Sequence, residues 1–148
     1  RSEVVLPFNE KMIINSLKSF KNYPNIFKRI TSCKIISSNV VHIRLDMPYF
    51  ISDRDYIVEY TMLEQRSRTI FAFDSGLHGR GPLLEGSVRL PNASGAWVIE
   101  SISEDSTKVS YIWNGELLGD FPSWALENAW KTQGKEVFVW MENYLNKK

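Results

Sequence analysis

Hydrophobic positions along this chain change period twice. In FNEKMIINSLKSF, Met12, Ile13, Leu17 and Phe20 recur at helical spacing with polar residues between them. That pattern predicts a helix over 8–20, after a short strand, EVVL, stopped by Pro7. Pro24 in NYPN is expected to break the helix, and IFKRI reads as one further helical turn. The period then falls to two. SCKIISS and VVHIRLDM flank Ser38-Asn39, a hairpin signal. In the second of these segments Val41, Ile43, Leu45 and Met47 share one face, and His42, Arg44 and Asp46 share the other. DYIVEYTML, TIFAFDSG, SVRLP, GAWVIESI and KVSYIWNGEL continue the alternation, with turn signals at NASG and EDST. GLHGRGPLLEG is long enough to be more than a tight turn.

The helical period returns in PSWALENAWKTQGKEVFVWMENYLNKK, 27 residues with no internal proline. Leu126, Trp130, Val137, Met141 and Tyr144 form one stripe, widened by Ala129, Phe138 and Leu145. Pro122 suits the first helical position, and Gly134 is placed to let the helix bend or approach a sheet closely. The order is a strand, short helices, a meander of about six strands and one long C-terminal helix. It predicts an α+β fold: a curved antiparallel sheet gripping a helix from about Pro122 to Asn146.

Composition narrows the function. With 148 residues, one domain is expected, and 43% apolar with 24% charged residues suits a globular domain. Aromatics at 13% supply large bodies that fill a core or line an apolar cavity equally well. A net charge of +1 gives no field to gather nucleic acid. The single cysteine, Cys33, rules out a disulfide scaffold and reads as a packed apolar side chain. No apolar run reaches the roughly 20 residues of a membrane span. The chain begins with Arg1, so an upstream piece is expected to have been removed or left out. The compartment stays open between cytoplasm and periplasm.

Three stretches carry a family likeness. MPYFISDRDYIV has a proline, a serine and then Arg-Asp-aromatic leading into a strand. GSVRLPNASGAWVIESISEDSTKVSYIW reads as paired strands, with Arg in the first and Trp early in the second. GELLGDFPSWALENAW has Gly-x-x-Pro-x-Trp before the long helix. In this order the chain resembles the START (StAR-related lipid-transfer) domains of the helix-grip superfamily, across nearly its whole length. Glu116 stands where the family usually has Asp, and Tyr49-Phe50 where it usually has Trp-Pro. The resemblance implies a single START-like domain over 1–148, short of the family's N-terminal part, with a cavity between sheet and helix. It also casts Arg54 and Asp55 as a structural clamp at a strand entrance that fixes the PYFIS loop, while Asp53 reads as a solvated turn residue.

A carrier needs an apolar cavity, a few orienting polar groups and a door, and no catalytic set. The candidate ligand-binding residues are Val58, Tyr60 and Met62; Phe71 and Phe73; Leu90, Asn92, Trp97 and Ile99; Tyr111 and Trp113; and Leu126, Trp130, Phe138 and Met141 on the helix. Tyr60, Asn92 and Tyr111 would be the polar points of a mostly neutral pocket, with Trp97, Trp113 and Trp130 around one shared space. The same residues could equally form a filled core. The expected partner is a lipid or other hydrophobic small molecule, with transient membrane contact and no nucleic acid. Two loops qualify as the door: SGLHGRGPLLEG, with Gly76, Gly79, Gly81, Gly86, Leu77, Leu83 and Leu84, and GELLGDF, with Leu117, Leu118 and Phe121. No nucleophile elbow, Walker loop, dinucleotide fingerprint or His-Glu-x-x-His occurs, and Asp46, Asp53 and Asp55 do not read as a metal site. His42 and His78 show no orienting acid. No cofactor is implied. The competing readings are a polyketide cyclase/aromatase-like enzyme of the same superfamily and a protein-interaction domain.

Overall fold

The computed structural model describes residues 1–48, 50–76 and 82–148. The elements are β1 (Ser2–Leu6), α1 (Glu10–Lys18), a 3-10 turn (Phe20–Asn22), α2 (Tyr23–Ile26), β2 (Ile30–Ile35), β3 (Val40–Leu45) and β4 (Asp53–Gln65). They continue with β5 (Arg68–Asp74), β6 (Ser87–Arg89), β7 (Ser94–Ser103), β8 (Ser106–Asn114), a further 3-10 turn (Ser123–Ala125) and α3 (Leu126–Leu145). The strands form one sheet in the order β1-β8-β7-β5-β4-β3-β2, with antiparallel neighbours throughout. β6 adds a short parallel pairing in which Asp53, Arg54 and Asp55 of β4 face Ser87, Val88 and Arg89.

Local chemistry explains the boundaries. The Asn9 side chain accepts from the Lys11 amide at 2.8 Å, capping α1, whose Ile13 and Leu17 are buried. Pro24 does not break a helix. It sits in the first turn of α2, where its missing N–H costs nothing, and the expected turn at IFKRI is instead the run into β2. α3 begins at Leu126, four residues after Pro122, because Ser123–Ala125 winds as a 3-10 turn.

One core unites these elements. The sheet's inner face, α1, α2 and the C-terminal half of α3 bury Ile43, Val58, Ile99, Phe138 and Met141, among others. Each such side chain contributes about 1.5–3 kcal/mol relative to exposure. Two glycines set how closely the layers meet. Gly134 brings α3 against β1, where a β-carbon would stand 2.1 Å from Ser2 Oγ. Gly95 on β7 lies under the Phe73 ring, and a β-carbon there would come within 2.5 Å of the ring and 2.2 Å of the Ile112 carbonyl oxygen. Neither neighbour of Gly95 is a flexible side-chain end. Gly95→Ala should therefore destabilise the fold by about 1–3 kcal/mol, the cost of overpacking. A lowered urea midpoint at unchanged m-value would register this, and an unchanged midpoint would refute it.

Candidate functional site

A cavity of about 360 Å³ lies between the sheet and the N-terminal half of α3. Its inner wall is aromatic: Tyr56 and Tyr60 of β4, Phe73 of β5, Trp97 of β7, and Tyr111 and Trp113 of β8, with Tyr23 and Phe27 from the segment before β2. The β3–β4 loop adds Met47, Pro48 and Ile51, and the β8–α3 loop adds Leu117 and Phe121. Asp46, Pro48, Asn128 and Thr132 both line the cavity and are exposed, so its mouth lies between the β3–β4 loop and the start of α3.

The helix explains why space remains. Its C-terminal half turns Val137, Phe138, Met141 and Leu145 inward, and these fill the core. Its N-terminal half turns Ala129 and Gln133 toward the sheet, preceded by Ala125, and these leave a gap. The rings around the gap brace one another. Trp97 and Tyr111 have centroids 4.5 Å apart, Tyr56 and Trp113 5.7 Å, and Trp113 and Trp130 6.0 Å. Trp97, Trp113 and Trp130 all lie on the cavity's wall.

Of the candidate residues, Tyr60, Phe73, Trp97, Tyr111, Trp113 and Trp130 line the cavity. Val58, Phe71, Leu90, Ile99, Phe138 and Met141 are buried in the continuous core instead, and Leu126 packs partly buried against it. Met62 faces a separate polar groove between α1 and the β4–β5 hairpin. Asn92 is exposed in the turn before β7, so it is no polar point of the cavity. Sequence reasoning missed Tyr23, Phe27 and Tyr56. Tyr56 stands two residues before Val58 and shares its face, so the alternation could have found it.

Burial pushes the phenols of Tyr23, Tyr56, Tyr60 and Tyr111 well above their ordinary range, keeping them neutral. Tyr23 donates to the Leu17 carbonyl at 2.7 Å, and the Tyr60 phenol interacts with that of Tyr23, the rings meeting edge-on with centroids 6.2 Å apart. The cavity's cation, Arg29, is engaged: its Nε and Nη2 donate to both oxygens of Glu136 at 2.8 and 3.0 Å. Burial pushes the Cys33 thiol up to about 12, so it is no nucleophile at neutral pH.

The three charges before β4 have separate duties. Asp53 is not a solvated residue: it accepts from Arg44 Nε at 2.7 Å and is half-buried. Arg54 is fully buried. Its Nη1 donates to the Ser52 carbonyl in the loop before β4. Its other donors reach the β8–α3 loop: Nε to Leu117 O at 2.9 Å, and Nη2 to Leu118 O at 2.6 Å and Asp120 Oδ1 at 3.0 Å. Asp120 closes the circuit by accepting from the Ser52 amide at 3.0 Å. Both loops at the cavity mouth are thus tied to one guanidinium.

Asp55 points to the opposite face. It accepts from Arg89 Nη2 at 2.6 Å and Ser87 Oγ at 3.0 Å, and lies 2.5 Å from His42 Nε2, so His42 does have an acidic partner. Arg89 also donates to the Pro82 carbonyl, within the glycine-rich loop. In this cluster the carboxylate stands between serine and histidine, and the imidazole does not touch the hydroxyl. That order gives no activated nucleophile. Burial alone would raise Asp55, but hydrogen bonds from Arg89, His42 and Ser87 outweigh it and hold the carboxyl below its ordinary value. Of the first door candidate, Leu77, His78, Gly79 and Gly81 lie outside the described residues, while Leu83 and Leu84 do not line the cavity. Of the second, Leu117 and Phe121 line it and Leu118 does not.

No protein-family model and no curated protein sequence matches this chain. Solved structures do. A STAR-related lipid transfer protein from Xanthomonas axonopodis aligns over 97% of this chain and 83% of its own, with a TM-score of 0.84 and 17% identity. Human STARD10 aligns over 98% of this chain at a TM-score of 0.85 and 15% identity, and this chain covers 62% of it. The di-domain ARO/CYC protein BexL, from the BE-7585A biosynthetic pathway, aligns more loosely, with a TM-score of 0.62, 14% identity, and coverage of 95% of this chain and 44% of its own.

Removing the Arg54 side chain strands three carbonyls and loosens both mouth loops. Arg54→Ala should cost about 3 kcal/mol, far above a surface change. Arg54→Lys should recover less than half, because a point charge cannot span the fork. Chemical denaturation measures both, and an alanine variant as stable as wild type would overturn the clamp.

A second outcome follows from Asp55. Its folded-state value is lowered below 3.8, so its contribution is present above the unfolded value and is lost as pH falls through the folded one. Asp55→Asn should flatten the loss of stability below pH ~5 while leaving the remaining carboxylates' contribution. Identical acid profiles for the two proteins would contradict this.

Proposed function

We propose, for a chain that has the helix-grip fold of START domains, that it binds a hydrophobic small molecule, most simply a lipid, in the cavity under α3 and carries or presents it without chemistry. We read residues 1–148 as one such ligand-binding domain. The observation that carries this reading is the 360 Å³ space itself, within the range of small-molecule pockets and lined by aromatic rings with few polar groups. The structural relatives named for lipid transfer support it. The likeness to an ARO/CYC protein keeps an enzyme as the second reading. The site favours the carrier, because its tyrosines are held neutral by burial and Arg29 is paired with Glu136. Such groups orient a ligand better than they abstract a proton.

Transient membrane contact fits the mouth. Phe50, in the β3–β4 loop, is 95% exposed, and Trp124, in the turn before α3, is 82% exposed. The residues next to them, Ile51 and Ala125, line the cavity. Large apolar side chains beside an opening suit passage of a ligand from a bilayer. Among the described residues no helix is long and apolar enough to cross a membrane.

Ala129→Trp places a large ring in the gap from the helix side. The variant should stay folded and lose uptake of the neutral dye Nile red, and lipid extracted from the purified protein should fall with it by mass spectrometry. Full dye binding and an unchanged lipid complement would put the ligand elsewhere.

A further inference from the structure

We propose that Tyr56 and Tyr111 form the polar subsite of the cavity and select a neutral, compact hydrophobic molecule bearing a hydroxyl or carbonyl oxygen, over fatty carboxylates and phosphate-bearing diacyl lipids. This rests on the hydrophobic-carrier reading and specifies its ligand. Four tyrosines line the cavity, but their hydroxyls are not equivalent. Tyr23 is committed to the Leu17 carbonyl, and the Tyr60 phenol interacts with that of Tyr23. The hydroxyls of Tyr56 and Tyr111 have no hydrogen bond to any described residue, yet both residues are buried and line the cavity. Neither hydroxyl is sealed in protein; each is open and unpartnered in a mostly apolar cavity, so a ligand oxygen meeting these two is favoured over a ligand without one. Tyr56 packs against Trp113 at 5.7 Å, and Trp113 stands two residues from Tyr111 on the same face of β8, which places the two phenols on one stretch of the cavity wall.

Charge decides the class. A carboxylate or phosphate at this subsite would leave water without gaining a cation. Arg29 is held by both oxygens of Glu136, and Arg54 spends its donors on Ser52, Leu117, Leu118 and Asp120. An uncompensated buried anion is heavily penalised, whereas a neutral oxygen is not. Size points the same way. The cavity, at about 360 Å³, is near the lower end of small-molecule pockets, which suits one chain or one fused-ring body rather than two acyl chains and a headgroup.

The test is displacement of Nile red by hexadecanol, ionised hexadecanoic acid, hexadecane and phosphatidylcholine, on wild type, Tyr56→Phe and Tyr111→Phe. Phenylalanine keeps the ring and removes only the oxygen. Hexadecanol should bind wild type at least ~10-fold more tightly than hexadecanoate, and each variant should weaken hexadecanol about 3- to 10-fold. Hexadecane affinity should not change, which also reports that the cavity is intact in the variants. Equal or tighter binding of hexadecanoate or phosphatidylcholine, or unchanged hexadecanol affinity in both variants, overturns the subsite and leaves the carrier reading standing. Failure of wild type to bind Nile red or any of the four ligands overturns both.

Discussion

A guanidinium shut away from water must find protein acceptors for its donors, and this requirement organises one end of the molecule. Arg54 meets it with carbonyls from two loops that are distant in sequence, Ser52 before β4 and Leu117 and Leu118 after β8. The planar fork dictates where those carbonyls stand, and so where Ile51, Leu117 and Phe121 stand at the rim of the cavity. The approach to α3 is fixed by the same group, because Asp120, two residues before Pro122, bridges Arg54 and the Ser52 amide. Gly119 fits the same constraint: its φ of +68° is open to glycine, and a β-carbon there would press on Val88 of β6 at 3.1 Å. The strand end, the mouth and the helix start are thus one mechanical unit.

The neighbouring residue does comparable work on the other face. Strand alternation sends Asp55 to the sheet's other face, where it is buried, gathers His42, Ser87 and Arg89 and ties β3, β4 and β6 together. Two adjacent charges therefore secure two loops on opposite faces. Arg54 holds the segment ahead of α3, and Asp55, through Arg89, holds Pro82 of the glycine-rich loop. Such networks are costly when half satisfied and rigid when complete, which fits their place beside a space that the core leaves unfilled.

Much of the fold was legible because periodicity reports burial. The alternation in VVHIRL and DYIVEY and the stripe on the last helix record which faces pack, and three motifs in order supplied the topology. The cavity's membership was less legible. Period two separates the inner face of a strand from the outer, but not a residue over packed core from one over empty space. Val58 and Tyr60 share a face of β4, yet Tyr60 lines the cavity and Val58 does not. That difference is set by what α3 and the segment around Tyr23 place opposite, a tertiary fact. Asn92 failed for a simpler reason: it sits in a turn, where alternation carries no information. His42 lies on a face that reads as polar and solvated, and only the register of β3 against β4 brings it beside Asp55.

The gradient along α3 joins the fold to its use. A helix that turned large side chains inward for its whole length would give a filled core, and one with small residues throughout would not hold to the sheet. Here Phe138 and Met141 anchor one half, while Ala125 and Ala129 leave room beside the other. The middle of the helix meets β1 through Gly134, where a β-carbon would press on the Ser2 side chain, and the C-terminal half beyond it is held by the core. The half over the cavity depends on the loop that Arg54 secures. It has fewer buried apolar contacts, and such regions open at lower free energy than the core. Under the proposed carrier function, local movement around Ala125 and the β8–α3 loop is the route for ligand exchange that leaves the sheet and the C-terminal half of α3 packed.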